Sequence, residues 1–244
     1  MSQTIAGIRP VQEALSADIH IDRVYIQKGL SGPLAAGLVS SLREQGVPFQ
    51  FVPVEKLNKL APGNHQGVVA TVSPISYHNF IELLPSLQEQ SLNPFVLLLD
   101  HVTDVRNMGA IVRSAECGGV SAVVVPDHGT AQIGPDAVKS SSGALLRMPI
   151  CRDNPKTIVR FAQQCGLQIV AATEKGSTPY TNIDFTRPTL LMLGAEDTGL
   201  SPDLLRLADA KAALPIKGQV QSLNVSAAAA VFIYEALRQR ENKG

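Results

Sequence analysis

The chain is short of most features that would place it at once. It has three cysteines, Cys117, Cys151 and Cys165, an odd number without metal-ligand spacing. That excludes a disulfide framework and a cysteine-built metal centre, and a reduced, cytoplasmic compartment with no metal is expected. No apolar run approaches the roughly 20 residues of a membrane span. Met1 to Pro10 carries Arg9 and no apolar core segment, so no signal peptide is expected there. No G-x-G-x-x-G follows a strand-like run, which disfavours a nicotinamide-dependent oxidoreductase. No G-x-x-x-x-G-K-[ST] occurs either, which disfavours phosphate transfer. An excess of charge is also missing, with 21 basic and 21 acidic residues. Residues 1–75 hold six Lys/Arg and five Asp/Glu, the remainder fifteen and sixteen. Taken alone this balance argues against a nucleic-acid partner, and any RNA contact must depend on local clustering. Internal repeats and low-complexity tracts are absent.

What is present points to an α/β protein. With 244 residues and 45% hydrophobic content, the chain can build one large or two small cores. Residues 1–75 read as a small α/β domain, with a helix over Val11–Leu15 and a strand over Arg23–Ile26. A helix carrying Leu34, Leu38 and Leu42 follows, ended by Gly46 at its C′ position, then strands over Val47–Val52 and Gly67–Val72. His65, a lone histidine without an acid or metal partner, reads as support for a loop. A linker is expected over 76–93, with Pro74, Pro85 and Pro94 as punctuation around a modest amphipathic helix. From 94 to 244 continuous apolar strands alternate with helices, the pattern of a parallel sheet covered on both faces. The strands are expected at Phe95–Leu99, Ala122–Val125, Met148–Ile150, Gln168–Ala172, Leu190–Leu193 and Ala212–Ile216. Asn154-Pro155 and Ser201-Pro202 each open a helix with a cap residue before a proline.

Three strand-to-helix segments concentrate the polar residues, where open α/β sheets bind ligands. Asp100 to Ala115 carries a buried strand into a polar loop and a helix beginning near Asn107. Met108, Ile111, Val112 and Ala115 are its core stripe, and Arg113 falls off that stripe, placed to hold a phosphate. Leu193 to Pro202 holds Gly194, where a ligand can approach the backbone and a β-branched side chain would enter its path, followed by Glu196 and Asp197. Leu214 to Ser226 reads as a short buried strand, a loop and a helix running to about Arg240, with Ser222 able to cap it. Val225, Ala228, Ala229, Phe232 and Ala236 repeat at helical spacing. The four alanines Ala227–Ala230 require something packed close to the backbone.

Together these segments resemble the three motifs of the SpoU/TrmH class of SPOUT RNA ribose methyltransferases. The match is N-x-G-x-I-x-R-S-A at Asn107–Ala115, L-G-A-E-x-x-G-L at Leu193–Leu200 and S-L-N-V-S at Ser222–Ser226. It extends to Gly7–Gln12 and His65–Ala70, which resemble that class's N-terminal RNA-binding domain. Val105 stands where the class usually has proline, and Asp197-Thr198 replaces a Gly-containing pair; both are expected in loops. Among members the chain is most similar to bacterial enzymes that methylate a guanosine 2′-oxygen of 23S rRNA.

The resemblance implies a trefoil knot in a SPOUT domain spanning 94–244, against the general prior. It implies S-adenosylmethionine bound at Gly194, Leu214, Ile216, Ser222 and Leu223, and an RNA substrate held by a homodimer. Arg113 would engage the target phosphate, while Asn107, Glu196 and Asn224 orient the nucleotide and methyl donor. A ribose hydroxyl needs proton removal and in-line placement. An arginine serves that electrostatically, with the phosphate relaying the proton or a neighbour accepting it. A tRNA substrate is the alternative within the class. An RNA-binding assembly factor without catalysis would have no need of Asn107, Arg113, Glu196 and Asn224 together.

Overall fold

A computed structural model describes residues 4–17, 19–90, 93–220 and 222–242. Its contacts separate Met1–Ser76 with Ile133–Pro135 from Tyr77–Gln132 with Asp136–Gly244. No helix among the described residues is long and apolar enough to cross a membrane.

The first unit contains β1 (Thr4–Ala6), α1 (Ile8–Ser16), β2 (Ile21–Gln27), α2 (Pro33–Glu44), β3 (Phe49–Val52), α3 (Val54–Leu60) and β4 (Val68–Val72). Its sheet runs β1-β4-β2-β3, with β3 parallel to β2 and the other pairs antiparallel. Alternation along β2 and β4 makes two cores. Val24, Ile26, Val68 and Ala70 meet Val11, Leu38 and Leu42 on one side, while Tyr25 and Val69 meet Val52 and Leu57 on the other. Gly46 ends α2 with φ 66°, the left-handed turn its position demands. Neither β1 nor α3 is apparent in the sequence. β1 is three residues long and is a strand only because Thr4–Ala6 finds Val69–Thr71. His65 does support a loop: its Nδ1 accepts from Gly67 N at 3.0 Å and its Nε2 pairs with Asn58 Oδ1 at 3.0 Å.

The second unit contains β5 (Tyr77–His78), α4 (Phe80–Gln90), β6 (Phe95–Asp100), α5 (Val105–Cys117), β7 (Ala122–Pro126), α6 (Pro135–Ser140) and β8 (Ile150–Asp153). It continues through α7 (Pro155–Gln164), β9 (Gln168–Ala172), β10 (Thr178–Pro179), β11 (Thr189–Gly194), α8 (Pro202–Leu207), β12 (Ala210–Ala213) and α9 (Val225–Glu241). The eight strands run β10-β12-β9-β11-β6-β7-β8-β5, and every pair is parallel. The interior strands β6 and β7 are buried along their whole length, which is why they read as unbroken apolar runs.

Four expectations change. Residues 77–90 do not stand apart as a linker, since Phe80 and Leu84 are fully buried in this unit's core and the Phe80 ring meets Phe161 edge-on at 6.4 Å. Pro85 lies inside α4. A proline there costs about 3 kcal/mol, and burying a Phe and a Leu returns roughly 1.5–3 kcal/mol each. β8 starts at Ile150, because Met148 N is taken by Ala144 O at 2.9 Å in the preceding turn. β12 ends at Ala213, where its pairing with β9 and β10 stops, so Leu214 and Ile216 leave the sheet. Val105 is the first residue of α5 and not a loop position, a place where proline is equally at home.

Candidate active site

β6 and β11 are neighbours in register, with Gly194 opposite Asp100, so the loops that follow them leave the sheet at the same carboxyl edge. Asp104 starts α5, its carboxylate accepting from Arg106 N at 2.8 Å and Asn107 N at 2.9 Å. The cap fixes where Asn107 emerges. The third segment reaches the same place through Asn224, which caps α9 by accepting from Ser226 N at 2.9 Å. Ser222, which the sequence offers as the cap, lies two residues earlier, and Gln221 lies outside the described residues.

These three chain segments close on one another. Asn107 Nδ2 donates to Glu196 Oε2 at 3.3 Å. Asn224 Nδ2 donates to Glu196 Oε2 at 3.2 Å and to Asn107 Oδ1 at 3.0 Å. Because Asn224 Oδ1 is committed to Ser226, only its amide nitrogen can face the other two. The cap therefore sets the polarity of the whole trio.

Beside the trio lies a cavity of about 350 Å³, within the usual range for small-molecule sites. Buried Ala212, Val225 and Phe232 give it one apolar wall, Leu214, Ile216, Ser222, Leu223 and Ala228 extend it, and Gly194 with Glu196 borders it. Glu174, Glu196 and Asp197 add three exposed carboxylates against one exposed cation, Lys175. An apolar slot beside carboxylates suits a ligand with a flat ring, hydroxyls and a cationic centre, and S-adenosylmethionine has all three. Gly194 earns its place differently from the expectation. A methyl group on it would stand 2.1 Å from the Gly199 carbonyl carbon and 2.2 Å from Leu200 N, so it collides with the chain's own backbone. The turn 195–199, closed by Gly199 N donating to Ala195 O at 2.9 Å, folds back onto Gly194.

Arg113 stands apart from the trio and the cavity lining. It is exposed on α5, six residues and so about 9 Å along the helix from Asn107, and has no hydrogen bond or ion pair among the described residues. Asp100 is a residue the sequence did not single out. Only 1% exposed, it accepts from Ser201 N through Oδ2 at 2.8 Å and pairs through Oδ1 with His101 Nδ1 at 2.6 Å. One buried carboxylate thus ties the loop after β6 to the start of α8 and holds His101 at φ 58°. An acid at the end of an apolar strand is the signal that could have revealed it. Cys151 plays no such part, since burial pushes its thiol up to about 12 and removes the reactive thiolate. Among the described residues no three His, Cys, Asp or Glu side chains are grouped to hold a metal ion.

Residues 94–234 match the SpoU rRNA Methylase family, and residues 4–78 match a family described as RNA 2′-O ribose methyltransferase substrate binding. The chain is 29% identical to YacO of Bacillus subtilis, assigned by name to the TrmH family of tRNA/rRNA methyltransferases, over 98% of this chain and 97% of that one. It is 30% identical to a protein of the same family name from Staphylococcus haemolyticus, with the same coverage. Among solved structures it resembles an AdoMet-bound rRNA methyltransferase from Sinorhizobium meliloti, with TM-score 0.62, 27% identity, and coverage of 97% of this chain and 87% of that one. It also resembles the SpoU methyltransferase AviRb from Streptomyces viridochromogenes in complex with AdoMet, with TM-score 0.61, 28% identity, and coverage of 98% and 90%. With both parts of the sequence accounted for and one residue of each motif gathered at one sheet edge, the chain belongs to the SpoU rRNA methylase family of S-adenosylmethionine-dependent RNA 2′-O-methyltransferases.

Proposed function

We propose that this protein methylates the ribose 2′-oxygen of a guanosine in 23S rRNA, as a cytoplasmic homodimer. The observation that carries the reading is the hydrogen-bonded trio of Asn107, Glu196 and Asn224, one residue from each motif, beside the 350 Å³ cavity. S-adenosylmethionine supplies an electrophilic methyl group on its sulfonium. In this reading Gly194, Leu214, Ile216, Ser222 and Leu223 hold it, and the trio orients the donor and the incoming ribose. Residues 1–75 grip the RNA, supported by the substrate-binding match over 4–78. The departure of 214–220 and 222–224 from the sheet and the close packing of α9 on α5 support a threaded C-terminal segment.

Arg113 engages the phosphate of the target nucleotide and lowers the cost of charge developing on the 2′-oxygen. Its separation from the cavity of its own chain suggests that it serves the partner's site. α9 exposes Ala227, Val231 and Tyr234 along one stripe, a face suited to a second copy. Arg113→Ala should leave S-adenosylmethionine affinity unchanged and slow methyl transfer by about a hundredfold or more. Arg113→Lys should restore little, since a point charge lacks the planar fork. Mixing Arg113→Ala with Asn224→Ala protein should recover part of the activity if the two residues act across the dimer. Near wild-type single-turnover rates in Arg113→Ala would remove the assignment. Mapping 2′-O-methyl sites in rRNA and tRNA from cells with and without the gene decides the substrate: loss at one 23S guanosine is expected, and loss only in tRNA would move the reading there.

A further inference from the structure

The first unit has a cavity of its own, about 400 Å³, on the outer flank of α2. Its walls include Ile26 and Leu30, then Ala36, Val39 and Arg43 of α2, and Phe51 of β3. It opens at the edge of the sheet, because among the described residues β3 pairs with β2 alone. Phe51 is 46% exposed, an unusual state for an aromatic strand residue. Its ring meets Phe49 edge-on at 5.9 Å, and Phe49 packs on the core, so the exposed ring rests on a rigid base. The Arg43 guanidinium lies 5.9 Å from the Phe49 ring centre. Lys28 is exposed at the other end of β3, its backbone N–H donating to Val52 O at 2.9 Å. The neighbouring acid, Glu44, accepts a hydrogen bond from Ser40 Oγ at 3.1 Å.

An exposed ring braced by another, apolar walls and a flanking cation together match the needs of a splayed-out nucleobase. Single-stranded RNA is held by stacking on aromatic faces, with arginine reaching the adjacent phosphate. A protein strand could instead add to β3, but four residues make a short template. We propose that this cleft binds one unpaired nucleobase of the substrate RNA, stacked on Phe51 with its phosphate at Arg43. The proposal rests on the reading of the chain as an RNA methyltransferase and adds a grip on RNA formed wholly within the first unit.

The test uses the full chain and unmodified 23S rRNA and tRNA transcripts, with RNA binding measured without cofactor. Phe51→Leu should weaken binding of the substrate transcript about tenfold and raise its KM, leaving kcat and S-adenosylmethionine affinity unchanged. Phe51→Tyr, which keeps a stacking face, should bind as the wild type does. Arg43→Gln should weaken binding and reduce the dependence on salt by about one phosphate contact. Should Phe51→Leu fail to fold, the Arg43→Gln salt slope decides alone. Unchanged RNA affinity in Phe51→Leu, or an unchanged slope in Arg43→Gln, overturns the proposal. A lower mass for Phe51→Leu in light scattering would show that a second copy fills the cleft, and overturns it too. Wild-type protein that binds RNA but methylates none would instead strike the underlying functional reading.

Discussion

Asn224 does two jobs with one side chain, and they can be separated. Its oxygen accepts from Ser226 N and, at 2.6 Å, from Ser226 Oγ, while its nitrogen serves Asn107 and Glu196. Asn224→Asp keeps the cap oxygen but sets a second carboxylate against Glu196. Stability should stay within about 1 kcal/mol of wild type, while cofactor affinity and methyl transfer fall sharply. Calorimetry beside single-turnover rates checks this, and parallel loss of stability and activity would contradict it. Asp100→Asn probes the other junction, where one carboxylate serves Ser201 N and His101. An amide cannot accept equally at both ends, so about 1–3 kcal/mol of stability should be lost in denaturant titration. Gly194→Val should prevent the 195–199 turn from closing and lower both thermal stability and cofactor affinity. Loss of affinity with an unchanged melting temperature would restore the simpler picture of a blocked pocket.

At the scale of elements, α9 against α5 governs the site, because these helices carry Asn224 and Asn107 at their starts. α5 buries Met108, Ile111, Val112 and Ala115, α9 buries Ala229, Phe232, Ile233 and Ala236, and the two helices pack together. The approach is close enough that a methyl group on Gly118 would sit 2.2 Å from Ile233 Cγ2. Gly118→Ala should therefore cost about 1–3 kcal/mol through overpacking, and Ile233→Val in the same chain should recover part of it. Farther along α9, hydrogen bonds from Arg238 and then Gln239 hold the Glu235 carboxyl below its usual range, against the effect of burial. A depressed carboxyl stabilises the fold above its unfolded value and loses that contribution as pH falls through the lowered one. Glu235→Gln should flatten the acid limb of a stability–pH curve and leave neutral-pH cofactor binding unchanged. An identical acid limb would show that Glu235 adds nothing there.

For the whole molecule, a balanced charge of 21 against 21 has to coexist with an RNA substrate. Local placement resolves this, with Arg113 on α5 and Arg43 and Lys28 on the first unit, all exposed. RNA affinity should accordingly fall only moderately with salt, by a slope of a few phosphate contacts. A slope near ten would require a broad basic surface. Light scattering should give a dimer at micromolar concentration, and Tyr234→Glu, placed on the exposed stripe of α9, should yield monomers that fold but do not methylate. A monomeric wild type would remove the dimer from the proposal.

Periodicity and punctuation alone determined much of this protein. The unbroken apolar runs at 95–99, 122–125 and 169–172 read as interior parallel strands once they alternate with helical stretches, and Asn154-Pro155 and Gly46 mark helix ends through local backbone chemistry. Those features are legible because they act over a few residues. Other features depend on distant partners. Thr4–Ala6 is a strand only beside β4, Leu214–Ile216 leaves the sheet only where β9 and β10 stop pairing, and α4 holds Pro85 because Phe80 and Leu84 are buried. The site shows the same division. Asn107, Glu196 and Asn224 stand out as polar residues at strand-to-helix junctions. Tertiary structure decides that Asn224 and not Ser222 caps α9, that Gly194 makes room for its own turn, and that Asp100 joins two loops. The Asp100–Ser201 and Asn224–Asn107 hydrogen bonds join residues 101 and 117 apart, which no local pattern encodes, while the Asn224–Ser226 cap and the packing of Gly194 against Gly199 and Leu200 follow from the path the chain takes between those junctions.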